Sequence, residues 1–207
     1  MFKKYLIFDL IVIAMLAALG SASKVIIGPV IRILTGAIGI PGGAIAGGFY
    51  MLWLGLAVGI VRVRGAATLM AVVQALMVFV TSMPGSHGTM SFITYTLPGI
   101  ACDLVFIFSK KYNYNVLHYM IGIALANIVG TFGSNLLFFR LPIIPLLLAL
   151  SSAAISGAVG GLIAYGIMTR LEKIGLIRNK NKRERKVIEL KSDEEEKGVL
   201  EVKANEE

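Results

Sequence analysis

The sequence predicts an all-α protein, a bundle of six membrane-spanning helices with both termini in the cytoplasm. Three observations predict it. Apolar residues make up 57% of the chain and charged ones 15%, with mean hydropathy +0.80, which excludes an ordinary soluble domain. Several apolar stretches approach the roughly 20 residues that a helix needs to cross a bilayer core. The basic residues between them cluster about two crossings apart, at Lys3 and Lys4, Arg62 and Arg64, Lys110 and Lys111, and from Arg170 onward. Cytoplasmic loops concentrate Lys and Arg, so clusters on every second connection define an orientation.

The first span is expected at 5–23. Its apolar stretch is longer than the about 7–15 residues of a signal core and Asp9 interrupts it, so a retained helix is predicted. Residues 24–46 (KVIIGPVIRILTGAIGIPGGAIA) are apolar but carry Arg32, Pro29, Pro41 and several glycines. A charge near the middle of a lipid-facing helix costs roughly 2.5–3.5 kcal/mol on insertion scales. A full span here would also put the two following basic clusters on the outer side. The segment is therefore expected to be a long outer loop, re-entering over the bundle, with an extra span as the alternative.

The remaining spans are expected at 47–62, 66–83, 93–109, 116–139 and 143–169. The third ends before the Pro-Gly-Ser-His-Gly stretch at 84–88, and the fifth before the short turn at Arg140 and Pro142. The domains are then a membrane part, 1–169, and a charged cytoplasmic tail, 170–207, expected to be partly disordered. Basic and acidic residues nearly balance in the tail, so almost all of the formal +8 charge belongs to the membrane part. The basic stretch 178–186 suits anionic headgroups and the acidic stretch 193–196 a solvated end. Nucleic-acid binding is not expected. Cys102 is the single cysteine, so neither an intramolecular disulfide nor a thiolate metal site is expected, and no cofactor.

Inside lipid, small residues mark the faces where helices approach. Ala14, Ala18 and Ala22 recur at four-residue spacing on the first helix, and Ala153, Gly157 and Gly161 do so on the last. Either ladder suits internal packing; the first equally suits a docking face for another membrane protein. On the fifth helix Asn127, Thr131, Ser134 and Asn135 share one side and its outer half. Facing lipid they would be costly, so they bond to neighbouring helices or wall a solute site.

Tyr50 and Trp53 lie toward the outer end of the second helix, either as interfacial aromatics or as a stacking platform for a flat ring. Gln74 lies midway along the third span and Asp103 midway along the fourth; His87 sits in the outer loop between them. Asp103 cannot reach water, so it must pair, protonate or contact a ligand. Arg32, Gln74 and a substrate amine are its candidate partners.

No HExxH, GxSxG or nucleotide-binding lysine motif occurs, and no span carries paired carboxylates, so no enzyme is indicated. Three classes remain. One is a substrate-binding subunit driven by separate ATPases. Another is a stand-alone secondary transporter using Asp103 as an ion or proton relay, although inverted repeats are not visible. The last is a membrane scaffold whose polar stripe only joins helices.

The ladder Ala14-Met-Leu-Ala-Ala18, continued at Ala22 on the first of six helices, resembles the AxxxA motif of the S components of energy-coupling factor (ECF) vitamin transporters. The stretch Gly42 to Met77 is similar to the branch associated with thiamine and its hydroxymethylpyrimidine precursor. The resemblance covers the membrane part and not the tail. It implies a multi-pass protein of a prokaryotic plasma membrane that binds a small vitamin or precursor at its outer face. It also implies a T component docked on the alanine ladder and two ATPase subunits. On this reading Tyr50 and Trp53 stack on the ring, Gln74, Asn127 and Asn135 bond its heteroatoms, and Asp103 receives an amino or cationic group. Thr131 and His87 complete the expected substrate site.

Overall fold

The structure, a computed structural model, describes residues 5–36, 41–81, 88–108 and 114–175. Among these the chain forms six α-helices: α1 (Ile7–Gly36), α2 (Gly42–Val61), α3 (Ala66–Thr81), α4 (Ser91–Ile107), α5 (Val116–Ser134) and α6 (Ile143–Lys173). Five of the helical stretches are long and apolar enough to cross a membrane; α3, at 16 residues, is shorter. Residues 1–168 form one compact unit and 169–207 a second, of which 169–175 are described.

The start of α1 is capped by its own acid, Asp9 Oδ2 accepting from the Leu6 amide at 3.0 Å. The Tyr5 hydroxyl donates to the Arg64 carbonyl at 2.9 Å, tying the chain start to the turn between α2 and α3. The largest departure from expectation follows. Residues 24–36, expected within an outer loop, continue α1 as helix, and 42–46 open α2. Pro29 is accommodated inside a 30-residue helix. Because 24–36 prolong α1 and add no extra span, the orientation of the basic clusters is kept; the cost of a charge in lipid is avoided because Lys24, Gly28 and Arg32 all line a cavity. A polar face turned onto a cavity escapes that cost.

The other elements lie within a few residues of expectation. At the α2–α3 connection Arg62 is left-handed (φ 52°), its amide donating to the Val58 carbonyl at 2.9 Å. The fifth helix changes character at its end: α5 passes into a π turn at Asn135–Phe139, stopped by left-handed Arg140 (φ 47°).

Glycines bring backbones into close approach where α2, α5 and α6 meet. A side chain at Gly160 would overlap the Gly48 backbone, and one at Gly161 the backbone of Met120. Gly157 likewise lies against Ala124. The last-helix ladder thus packs internally. Ser156 secures the same contact, its hydroxyl accepting from the Gly48 amide at 3.0 Å and donating to the Ile45 carbonyl. In contrast, Ala14, Ala18 and Ala22 are exposed on α1, whereas Ile13, Leu16, Ala17, Gly20 and Ser21 face the bundle.

Candidate functional site

Helices α1, α2, α3, α4 and α5 line an open cavity of about 480 Å³, within the range of small-molecule sites. It occupies the end of the bundle where α1, α3 and α5 finish and α2 and α4 begin. Arg32, Gly43 and Ser134 lie near those helix ends; Lys24, Leu54 and Gln74 lie deeper.

Of the residues expected to bind substrate, Tyr50, Gln74, Asn127 and Thr131 line this cavity. Asn127 is 1% exposed, and its amide donates to the Ala44 carbonyl at 3.1 Å and the Ala153 carbonyl at 2.9 Å. It therefore fastens α5 to both α2 and α6, and its Nδ2 is spent on structure. Gln74 reaches the Ala17 carbonyl only at 3.5 Å, the limit of a useful bond. Asn135 is buried but lies outside the lining. Its Oδ1 accepts from the Leu141 amide at 2.9 Å and its carbonyl from the Arg140 amide at 2.8 Å, closing the π turn. Such turns often occur at functional sites, and this one ends at Phe139 on the cavity wall.

Trp53 does not line the cavity either. Its indole packs on α1 at Gly20, where an added Cβ would lie 3.3 Å from Cδ1 and collide with the Gln74 amide. A larger residue there would have to displace the Gln74 side chain and press on the indole. The Trp53 Nε1 and Ser21 Oγ are buried without a hydrogen-bond partner among the described residues. The aromatic beside Tyr50 in the lining is instead Tyr95 of α4. His87 lies outside the described residues.

Asp103 is the main correction. It is 5% exposed yet points away from the cavity, onto the first turn of α3. Oδ1 accepts from the Ala67 amide at 3.3 Å; Oδ2 accepts from the Thr68 amide at 2.7 Å and the Thr68 hydroxyl at 2.6 Å. The first amides of a helix lack intrahelical acceptors, and a carboxylate there also meets the positive end of the helix dipole. This supplies the partner that membrane depth demanded, with no substrate amine. The sequence hint was present: α3 follows Arg64 and Gly65, without an Asp, Ser, Thr or Asn to cap it.

Lys24 and Tyr95 were missed. The Lys24 ammonium sits over the Tyr95 ring, 4.0 Å from its centroid, and 5.9 Å from that of Tyr50. The missed signal was periodicity: Lys24, Gly28, Ile31 and Arg32 repeat at the three-to-four spacing of one helix face, across residues read as loop.

Among the described residues no cluster of three His, Cys, Asp or Glu side chains could hold a metal. The arrangement can hold a small organic molecule between aromatic faces, hydroxyls and two cations.

Five helical stretches long and apolar enough to cross a membrane, with such a cavity at one end of the bundle, suit a membrane transport component. The chain belongs to the family described as "ABC-type cobalt transport system, permease component", whose model matches residues 8–129. Its fold is similar to that in the "Crystal structure of an S-component of ECF transporter". The TM-score is 0.73, over 92% of this chain and 98% of that one, at 18% sequence identity. No curated protein matches the sequence.

Proposed function

We propose that this protein is the substrate-binding subunit of an ECF-type importer, taking a small vitamin or precursor from the outer face of a prokaryotic plasma membrane. The observation that carries the reading is the cavity at one end of the bundle, opposite the Arg62 and Arg64 connection. By the charge rule that connection is cytoplasmic, so the cavity faces outward. The family and the S-component fold support the same class.

The substrate is a flat heterocycle of the hydroxymethylpyrimidine type, seated against Tyr50 and Tyr95, with Thr131, Ser134 and Gln74 available to its polar atoms. Asp103 has no part in this site. The cavity lining carries no acid among the described residues, so a neutral or anionic ring suits it better than cationic thiamine. Cobalt, which appears in the family's description, prefers imidazole, carboxylate or thiolate donors. The described lining offers amides, hydroxyls and two basic side chains instead.

The exposed ladder Ala14, Ala18 and Ala22 is the face on which a T component docks, coupling the subunit to two ATPases. Binding by the purified chain, then uptake after reconstitution with T and ATPase subunits, tests the proposal. Uptake should require ATP hydrolysis. Gradient-driven uptake by the chain alone would instead establish the secondary-transporter reading. Ala14→Trp and Ala18→Trp should abolish ATP-driven uptake while leaving binding intact; loss of both would show the ladder to be bundle packing.

A further inference from the structure

Lys24 stands 12 residues before the end of α1 and 17 after its beginning. At about 1.5 Å per residue it is roughly 18 Å and 25 Å from the two ends, too deep for its side chain to reach water along the lipid face. It faces the cavity, and so, two turns nearer the end of α1, does Arg32.

Neither cation has a carboxylate available within the membrane part. The acids before residue 170 are Asp9 and Asp103 alone; the segments 37–40, 82–87 and 109–113 contain none. Asp9 caps the far end of α1 and Asp103 caps α3. The Tyr95 and Tyr50 rings partly compensate the ammonium. A ring face does not satisfy three N–H donors. An ionisable group unpaired among the described residues, at membrane depth and on a cavity, marks a substrate path.

We propose that the substrate carries an anionic group, a carboxylate or a phosphate, which pairs with Lys24 at the floor of the cavity. Arg32, exposed near the end of α1, draws the anion in. The flat remainder of the molecule then lies against Tyr50 and Tyr95. This rests on the reading of the chain as a substrate-binding subunit and narrows its substrate class.

The test is calorimetric titration of the full chain in nanodiscs with matched pairs. The pairs are nicotinate and nicotinamide, pyridoxine phosphate and pyridoxine, hydroxymethylpyrimidine phosphate and its free alcohol, and thiamine monophosphate and thiamine. The tightest binder is expected to be the acid or phosphate of its pair, and which of the two wins identifies the anion. Lys24→Met should weaken that binder about 30-fold or more, as expected for a desolvated charge pair, with the neutral partner little changed. Lys24→Arg should retain most of the affinity.

A tightest binder that is neutral or cationic would overturn the proposal while leaving the transport reading intact. So would unchanged anion affinity in Lys24→Met. Should that variant not fold, the wild-type pairs alone decide. Failure of every compound to bind would count against both the anion and the substrate-binding subunit.

Discussion

The two ends of the bundle solve the same problem in opposite ways. At the end where α2 meets α3, polar groups are sealed into structure. Asp103 caps α3, and Phe106, Tyr114 and Tyr119 pack edge to face at ring-centroid distances of 4.9 and 5.3 Å. Glycines admit large neighbours there: Gly122 takes the Phe106 ring and Gly55 the Ile123 side chain. At the other end, Thr131, Ser134, Arg32 and Lys24 stand around about 480 Å³ of space. The difference teaches how to read a charge at membrane depth: the chemistry of its partner, more than the depth, separates a structural charge from a functional one. Asp103 finds its partner within the chain, and among the described residues Lys24 meets aromatic faces.

The comparison breaks most completely through the packed backbone. Gly160→Val would drive a side chain into the Gly48 carbonyl and backbone. Because backbone cannot swing aside, its cost should reach or exceed the upper end of the about 1–3 kcal/mol typical of overpacking. Size-exclusion chromatography should show little monodisperse protein.

Asp103→Leu should come next, leaving the α3 amides unpaired at a cost of about 2–3 kcal/mol. The melting temperature should fall, with Asp103→Asn recovering part of it, and ligand affinity of the folded fraction should not change. A selective loss of affinity would return Asp103 to the substrate site.

Asn127→Leu removes bonds to two helices and should cost about 1–2 kcal/mol, with affinity falling as the cavity wall loosens. Thr131→Val should do the reverse, leaving melting unchanged and weakening the ligand about fivefold to tenfold, the worth of one hydrogen bond. Equal effects of both on melting would make the polar stripe purely structural.

Much of the architecture was legible because spacing and charge act through simple rules. The helices after α1 begin and end near where apolar length and Pro, Gly or basic residues put them. Residues 24–36 depart from expectation because a cost that applies only to lipid-facing charge counts against Arg32 until its face is known. The period linking Lys24, Gly28 and Arg32 was the better guide. The lining of the candidate cavity was half legible. The α5 stripe and Tyr50 come from one helix each, so periodicity locates them. Asp103 on α3, Trp53 on Gly20 and Lys24 on Tyr95 are pairings between distant segments, which no local pattern reveals. Asn135 was legible as buried, but the π turn that takes up its amide oxygen was not.

The central claim, that the open end is a ligand site, is tested most directly at Gly43. This residue lines the cavity, and a Cβ there would meet nothing within 4 Å. Gly43→Phe should therefore fold and melt like the wild type while its ring occupies cavity space. Titrated with the tightest wild-type ligand, it should show binding abolished. Unaltered binding in that stably folded variant would place the ligand elsewhere and contradict the account.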